Sequence, residues 1–357
     1  ALLGRGGAPT TVVDQRTEGA GLGAGILLQP NGLAVLEAIG VLDELRAAGS
    51  ELRRLRLLDH RLEPVAERPV PGGPTHGYAL VVPRLDLDRI VLAAARDCGV
   101  EVVHGRRLHE IRGTATDAEL VFDDGAQPGP SLLVGADGQG SVVRRFVDPA
   151  GPTPTAGRAY VRAMVDWTCV EKLHGEYWTR KGIAGILPCG TGASYWYCTA
   201  TTPIAAAVDQ GDLAALRRTV SAAHPPLVQA VTALDDVGAA RVDRVVEVEV
   251  TQLYRGSTVL VGDAAHAMAP NLGQGANSAL VDAGVLACEL GRRHGVGEAL
   301  AAYDARRCQA VRRVQLDAHR LARLAHLRRG RRLRNGVLRL VPERMTTAGV
   351  QRALQVD

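Results

Sequence analysis

Apolar positions along this chain switch between helical and strand spacing. Leu33, Leu36, Ile39, Leu42 and Leu45 recur at helical period, which predicts one helix over residues 32–45. Leu87, Ile90, Val91 and Ala94 put an apolar face on a second, at 86–98. Short β-branched runs read as strands at 10–13, 100–103, 132–134 and 258–261, with a strand and turn at 120–125. A long helix is expected over 276–293, and the chain beyond Gly297 reads as helical and basic. Residues 151–251 have another texture. Stretches 159–165, 194–199 and 242–250 alternate, which predicts an antiparallel sheet interrupted by one helix at 213–223. The pattern is that of an α/β fold into which a β-rich segment has been inserted.

Composition narrows the class. A chain of 357 residues is about two domains long. Its 46% hydrophobic and 22% charged residues exclude disorder, collagen and coiled coil. Only 3% are aromatic, yet seven of these twelve rings (Tyr160, Trp167, Tyr177, Trp178, Tyr195, Trp196, Tyr197) lie in the β-rich insertion. That concentration marks a face for a ligand. The six scattered cysteines suit a reduced cytoplasmic chain with neither a disulfide framework nor a metal site. No apolar run approaches the ~18 residues of a membrane span. The charge of +4 is carried almost wholly by arginine, sixteen of them between Arg292 and Arg352. With almost no aromatics between them for base stacking, these read as solvated helix faces, and no nucleic-acid partner is expected.

The chemistry concentrates in residues 254–290. The strand 258–261 ends on Gly262-Asp263, and Pro270, Gly273 and Gly275 lead into a helix carrying Asn277. An acid there sits beyond the carboxyl end of a strand, where ligands bind in open α/β sheets. Glycines let a flat ligand approach the backbone, and the helix N-terminus favours negative charge on it. A second turn, Gly135-Ala136-Asp137-Gly138, follows strand 132–134 and precedes Ser141 and Arg144. Asp14 closes strand 10–13, the place from which an acid reaches a ribose hydroxyl. No Gly-x-Ser-x-Gly, His-Glu-x-x-His or P-loop lysine motif occurs, which argues against hydrolase, zinc protease and NTPase chemistry.

The run from Tyr254 to Ala283 closely resembles the Gly-Asp motif of the group A FAD monooxygenases related to para-hydroxybenzoate hydroxylase, and residues 132–144 resemble their Asp-Gly motif. The resemblance spans Asp14 to about Tyr303. It implies that Asp263 binds the ribityl chain of FAD and that Pro270, Gly273, Gly275 and Asn277 pack beside the isoalloxazine, with Gly262 in the turn. It places Asp137 and Gly138 near the pyrophosphate, Asp14 at the adenosine ribose and Arg84 beside the cofactor. It implies NAD(P)H as reductant, O2 as oxidant, and a small organic substrate that is hydroxylated or epoxidised. His266 fits the motif as a structural residue.

One motif of that family, a strand followed by Gly-x-Gly-x-x-Gly, is not found. Glycines 19, 21 and 23 come after the acid and too close to Pro30 to serve. The expectation is that roughly 20 to 30 residues precede Ala1 in the whole protein. The expected fold is α/β: a Rossmann-like FAD-binding domain (1–55, 80–150, 252–310), an inserted antiparallel β-sheet substrate domain (56–79, 151–251) and C-terminal helices (311–357). Arg162, Tyr177, Tyr195 and Tyr197 are the expected substrate-pocket residues, with His174 a weaker candidate. A halogenase or reductase of the same fold, or a binding module without FAD, are the alternatives.

Overall fold

The computed structural model describes residues 1–19, 23–70, 76–115, 117–327 and 329–340. Gly21 therefore lies outside the described residues, and so does the C-terminal segment beyond residue 340.

A seven-stranded sheet forms the largest layer. Its order is Ala240–Glu247, Thr155–Val165, Ser194–Thr199, Gly182–Pro188, Gly175–Thr179, Arg54–Asp59 and Pro64–Pro69. All neighbours run antiparallel except Gly175–Thr179 beside Arg54–Asp59, which are parallel. Alternation splits the sheet into two faces. Val161, Ala163, Tyr177, Ala184, Ile186, Trp196 and Cys198 point one way, into a core with Ile204, Leu216, Val220 and Val231. Those last four come from three helices, Thr202–Asp209, Leu213–Ala223 and Val228–Thr232, where one was expected. The outer two start on Thr202-Pro203 and just after Pro225-Pro226, so their prolines act as helix starts rather than as breaks.

Behind this core His224 is fully buried, with Nε2 3.1 Å from the Thr199 carbonyl and Nδ1 3.0 Å from Thr179 Oγ1. Burial pushes its imidazole down to about 4. The unfolded chain takes up that proton first, so stability falls as pH drops from 6.5 towards about 4. The loss is on the order of 3 kcal/mol. Urea denaturation at stepped pH shows this slope, and His224→Asn flattens it; equal slopes would remove the assignment.

The remaining strands are shorter. Thr11–Asp14 pairs in parallel with Glu101–His104, and Leu133–Gly135 pairs in parallel with Thr258–Leu260. Gly25–Leu28 and Ser50–Leu52 flank Ala79–Pro83. The helix expected over 32–45 is two, Pro30–Ala38 and Leu42–Ala48. Gly40, at φ 75°, stops the first: its N–H bonds the Glu37 carbonyl and that of Val41 the Leu36 carbonyl. A glycine just past a helix end takes this left-handed turn without strain. Apolar periodicity continues across the break because both helices face one core, with Leu33, Leu36, Leu42 and Leu45 all buried.

Helix Gly275–Arg292 follows the Thr258–Leu260 strand and packs along Val296–Ala325. Its buried stripe carries two acids, Asp282 and Glu289. Both are paired, Asp282 with Arg307 and Glu289 with Arg293 and Arg306. No helix among the described residues is long and apolar enough to cross a membrane.

Candidate active site

Between the short strands and the open face of the large sheet runs one continuous cavity of about 1620 Å³. Three groups of residues line it: Asp14, Arg16 and Arg84; then Gly138, Gly262, Asp263, Pro270, Gly273 and Gly275; then the aromatic face of the sheet.

The middle group is built from the sequence run 258–277. Strand Thr258–Leu260 delivers Gly262 at φ 59°, a conformation that suits glycine, and Asp263 follows at the head of a four-residue helix. Asp263 is exposed in the cavity wall and has no hydrogen-bond or ion-pair partner among the described residues. The short helix Pro270–Leu272 then ends on Gly273 at φ 62°. Helix Gly275–Arg292 opens without a side-chain cap, with Gly275 and Ala276 in the wall, so its first N–H groups face the cavity. Asn271 also lines it, and its Nδ2 is buried without a partner. A carboxylate acceptor, the free N–H groups of an uncapped helix start and an amide donor unpaired among the described residues are a set that fits FAD.

Asn277 does not face this space. Its side chain is fully buried, accepting from the Gln29 amide at 2.8 Å and donating to the carbonyls of Leu27 at 3.0 Å and Gly273 at 2.7 Å. Gln29 adds a bond to the Leu272 carbonyl at 2.7 Å, and Asn31 one to Gln274 Oε1 at 3.0 Å. Four amide side chains thus clamp the loop to strand Gly25–Leu28 and to the start of helix Pro30–Ala38. Asn277 is a scaffold residue, which corrects its expected place beside the ligand. Asp137 also has a structural task. Its carboxylate accepts from Ser141 Oγ at 2.5 Å and the amides of Val142 and Val143 at 2.7 and 3.1 Å, so it holds the start of helix Val142–Val147. Gly138, at φ 77°, and Ala136 stand on either side of Asp137 in the cavity wall. Arg144 ties the two motifs together by donating to the carbonyls of Gln139 and Ala264.

At one end Asp14 is gripped by Arg16 at 2.8 Å. Burial raises its carboxyl, and the Arg16 hydrogen bonds and charge outweigh this, leaving it below the usual carboxylate range. Arg84 heads helix Arg84–Asp97, exposed and without an acid partner among the described residues. Together Arg16 and Arg84 give this end a positive lining.

At the other end Tyr160, Arg162, Glu176, Trp178, Tyr195 and Tyr197 look out from the sheet. Tyr177 does not: one residue out of phase with Glu176 and Trp178, it is buried on the helical side and donates to the Leu173 carbonyl. That corrects the expected pocket set, and Glu176 takes its place. Arg162 lies 3.1 Å from Asp243, an ion pair within the chain. Tyr160, whose phenol burial pushes up to about 12, sits 3.4 Å from Asn271 Oδ1 and links the sheet to the clamped loop. His174 lines the cavity with Nε2 on the Cys169 carbonyl at 3.1 Å. Arg334 lies 4.4 Å above the Trp178 ring, so helix Arg331–Leu340 closes the cavity from below.

Behind the Gly262 turn His266, as expected, is structural. Asp282 accepts from the Gly262 amide at 2.9 Å, from His266 Nε2 at 2.5 Å and from Arg307 Nε at 2.7 Å, and it is fully buried.

Residues 1–318 match the family described as FAD binding domain. The chain belongs to that family of FAD-dependent aromatic monooxygenases. The flavoprotein is 30% identical over 326 residues to the FAD-dependent urate hydroxylase of Klebsiella pneumoniae, covering 85% of this chain and 81% of the relative. It is 30% identical over 310 residues to the aurachin C monooxygenase/isomerase of Stigmatella aurantiaca, covering 85% and 80%. Its fold matches a Klebsiella pneumoniae protein solved with FAD and uric acid, with a TM-score of 0.80, 22% identity and coverage of 98% and 97%. The α/β architecture with an FAD-binding fold, the antiparallel sheet and the C-terminal helices stand as expected, and the protein is an oxidoreductase.

Proposed function

We propose that this enzyme uses NAD(P)H and O2 to hydroxylate or epoxidise an aromatic or polycyclic small molecule held against the sheet face. One observation carries the reading: a single cavity joins the unpaired Asp263 and the uncapped helix start to a wall of tyrosine and tryptophan. Asp263 would bind the ribityl hydroxyls, Arg84 and Arg16 the phosphate side, and the Gly275 and Ala276 amides the pyrimidine edge. Bound there, FAD supplies electron transfer from NAD(P)H to O2 and delivery of one oxygen atom. The aromatic wall orients the substrate ring and keeps water away from the reacting centre. The substrate domain is proposed as residues 56–79 and 151–251 and the cofactor domain as 1–55, 80–150 and 252–310. Its six cysteines, free in the structure, suit action in the reducing cytoplasm.

The test is turnover. FAD-loaded protein is offered aromatic and bicyclic heterocyclic compounds, uric acid among them, with NADH and NADPH in turn. The expected result is substrate-stimulated oxidation of one nucleotide and a product heavier by one oxygen that carries label from 18O2. Oxidation that ends only in hydrogen peroxide with every compound overturns the reading.

A further inference from the structure

Across the sheet, Arg162, Tyr197, Gly185 and Glu176 lie in register on four neighbouring strands. Gly185 matters because a Cβ there would fall on the Tyr197 ring. Without one, the ring lies over the strand, and its hydroxyl reaches Glu176 Oε2 at 3.0 Å. Trp178 Nε1 donates to the other oxygen, Oε1, at 2.8 Å. A carboxylate offers about four acceptor sites. Two are used here, and the group stands in the cavity wall.

The arginines of this wall, Arg68 with its bond to the Glu67 carbonyl at 3.0 Å among them, each have a partner. Arg162 is paired with Asp243 at 3.1 Å, Arg54 with Glu67 at 2.7 Å and Arg244 with Asp209 at 2.7 Å. Arg56 donates to the Glu171 carbonyl at 3.0 Å. A ligand carboxylate placed here would be desolvated beside an acid, with each arginine of the wall already partnered within the chain. A ring O–H or N–H would instead meet the unused lone pairs of a buried acceptor. Burial alone pushes the Glu176 carboxyl above the usual carboxylate range, and a further donor relieves that cost.

We propose that Glu176, held by Tyr197 and Trp178, is the subsite that receives the ring O–H or N–H of an uncharged aromatic substrate, and that it selects against ring carboxylates. This rests on the monooxygenase reading above and names its substrate class.

The experiment is a binding titration of the FAD-loaded enzyme, followed by flavin absorbance. The probes are two matched pairs, phenol against benzoate and 4-hydroxyquinoline against quinoline-4-carboxylate. A site built around a substrate donor rejects the analogue that lacks it. The donor-bearing member of each pair is expected to bind at least about ten-fold more tightly, the scale of one hydrogen bond to a charged group. Glu176→Gln removes the charge, replaces one of the two acceptor oxygens with a donor and is expected to abolish the preference, with flavin content unchanged. If that variant fails to fold, Tyr197→Phe, which keeps the ring and frees one carboxylate oxygen, reports instead by altering the preference. Carboxylates binding as tightly as their partners, a preference untouched by either variant, or no binding by any probe overturns the subsite. Binding is read without turnover. A protein that shows the preference but never oxygenates a product therefore sinks the monooxygenase reading and leaves the subsite standing.

Discussion

Asp263→Ala is expected to yield a folded protein that no longer keeps its flavin. The side chain is exposed in the cavity wall and bonds to nothing among the described residues, so its removal costs the fold little. The whole effect falls on the ligand. Hydrogen bonds to a charged group contribute roughly 1.5–3 kcal/mol each, so losing one or two of them weakens FAD binding on the order of 100-fold. Flavin fluorescence titration of the apoprotein gives the affinity, and circular dichroism with a melting curve gives the fold. An unchanged FAD affinity contradicts the role given to Asp263; a collapsed fold contradicts the claim that it is structurally idle.

Asp282→Ala is expected to do the reverse, with the damage falling first on stability. Its carboxylate is fully buried and joins the Gly262 amide, His266 and Arg307. Removing it leaves a guanidinium in the interior without its counter-ion, a change that costs about 3–5 kcal/mol. The melting temperature should fall on the order of 10 °C. Asp282→Asn keeps one acceptor and should lose less. Burial opposes ionisation of Asp282, but the charge and hydrogen bond of His266, the charge of Arg307 and the Gly262 amide outweigh it. They hold the carboxyl below its ordinary value of 3.8. Its contribution is therefore complete above pH 3.8 and is lost as pH falls through the lower folded value. Denaturation curves taken from neutral pH downwards should show this acid limb in the wild type and not in Asp282→Asn. A melting temperature that does not move on Asp282→Ala would refute the network.

Much of this was legible in sequence because the cofactor side is written in local chemistry. A strand, Gly262-Asp263 and a loop punctuated by Pro270 and Gly273 fall within twenty residues, and each has a conformational reason to be there. The substrate side is written in register, which no single strand reveals. Period-two alternation sorts Tyr177 from Glu176 and Trp178 but does not say which set faces the cavity; neighbouring strands decide that. In sequence alone Glu176 is one acid among aromatics and reads as a solvated position; its bonds from Tyr197 and Trp178 show otherwise. The same holds for Gln29 and Asp282. Each is an ordinary polar residue whose partners are remote in sequence. Gly40 carried a usable signal, since a glycine inside an apolar heptad is a common helix end.

The amide clamp also bears on how the protein assembles. Gln29 and Asn277 are 248 positions apart, and Leu27 and Asn277 are 250 apart. Nearly the whole large sheet lies in the chain between them. Closing so long a loop is entropically costly until the intervening chain has compacted. The clamp is therefore expected to close late, once the sheet between its two halves has compacted. A ribosome-bound chain that stops short of residue 277 has the first strands of the cofactor side but no floor for the ring. On that order, flavin retention would report that the substrate face between the clamp's two halves has folded.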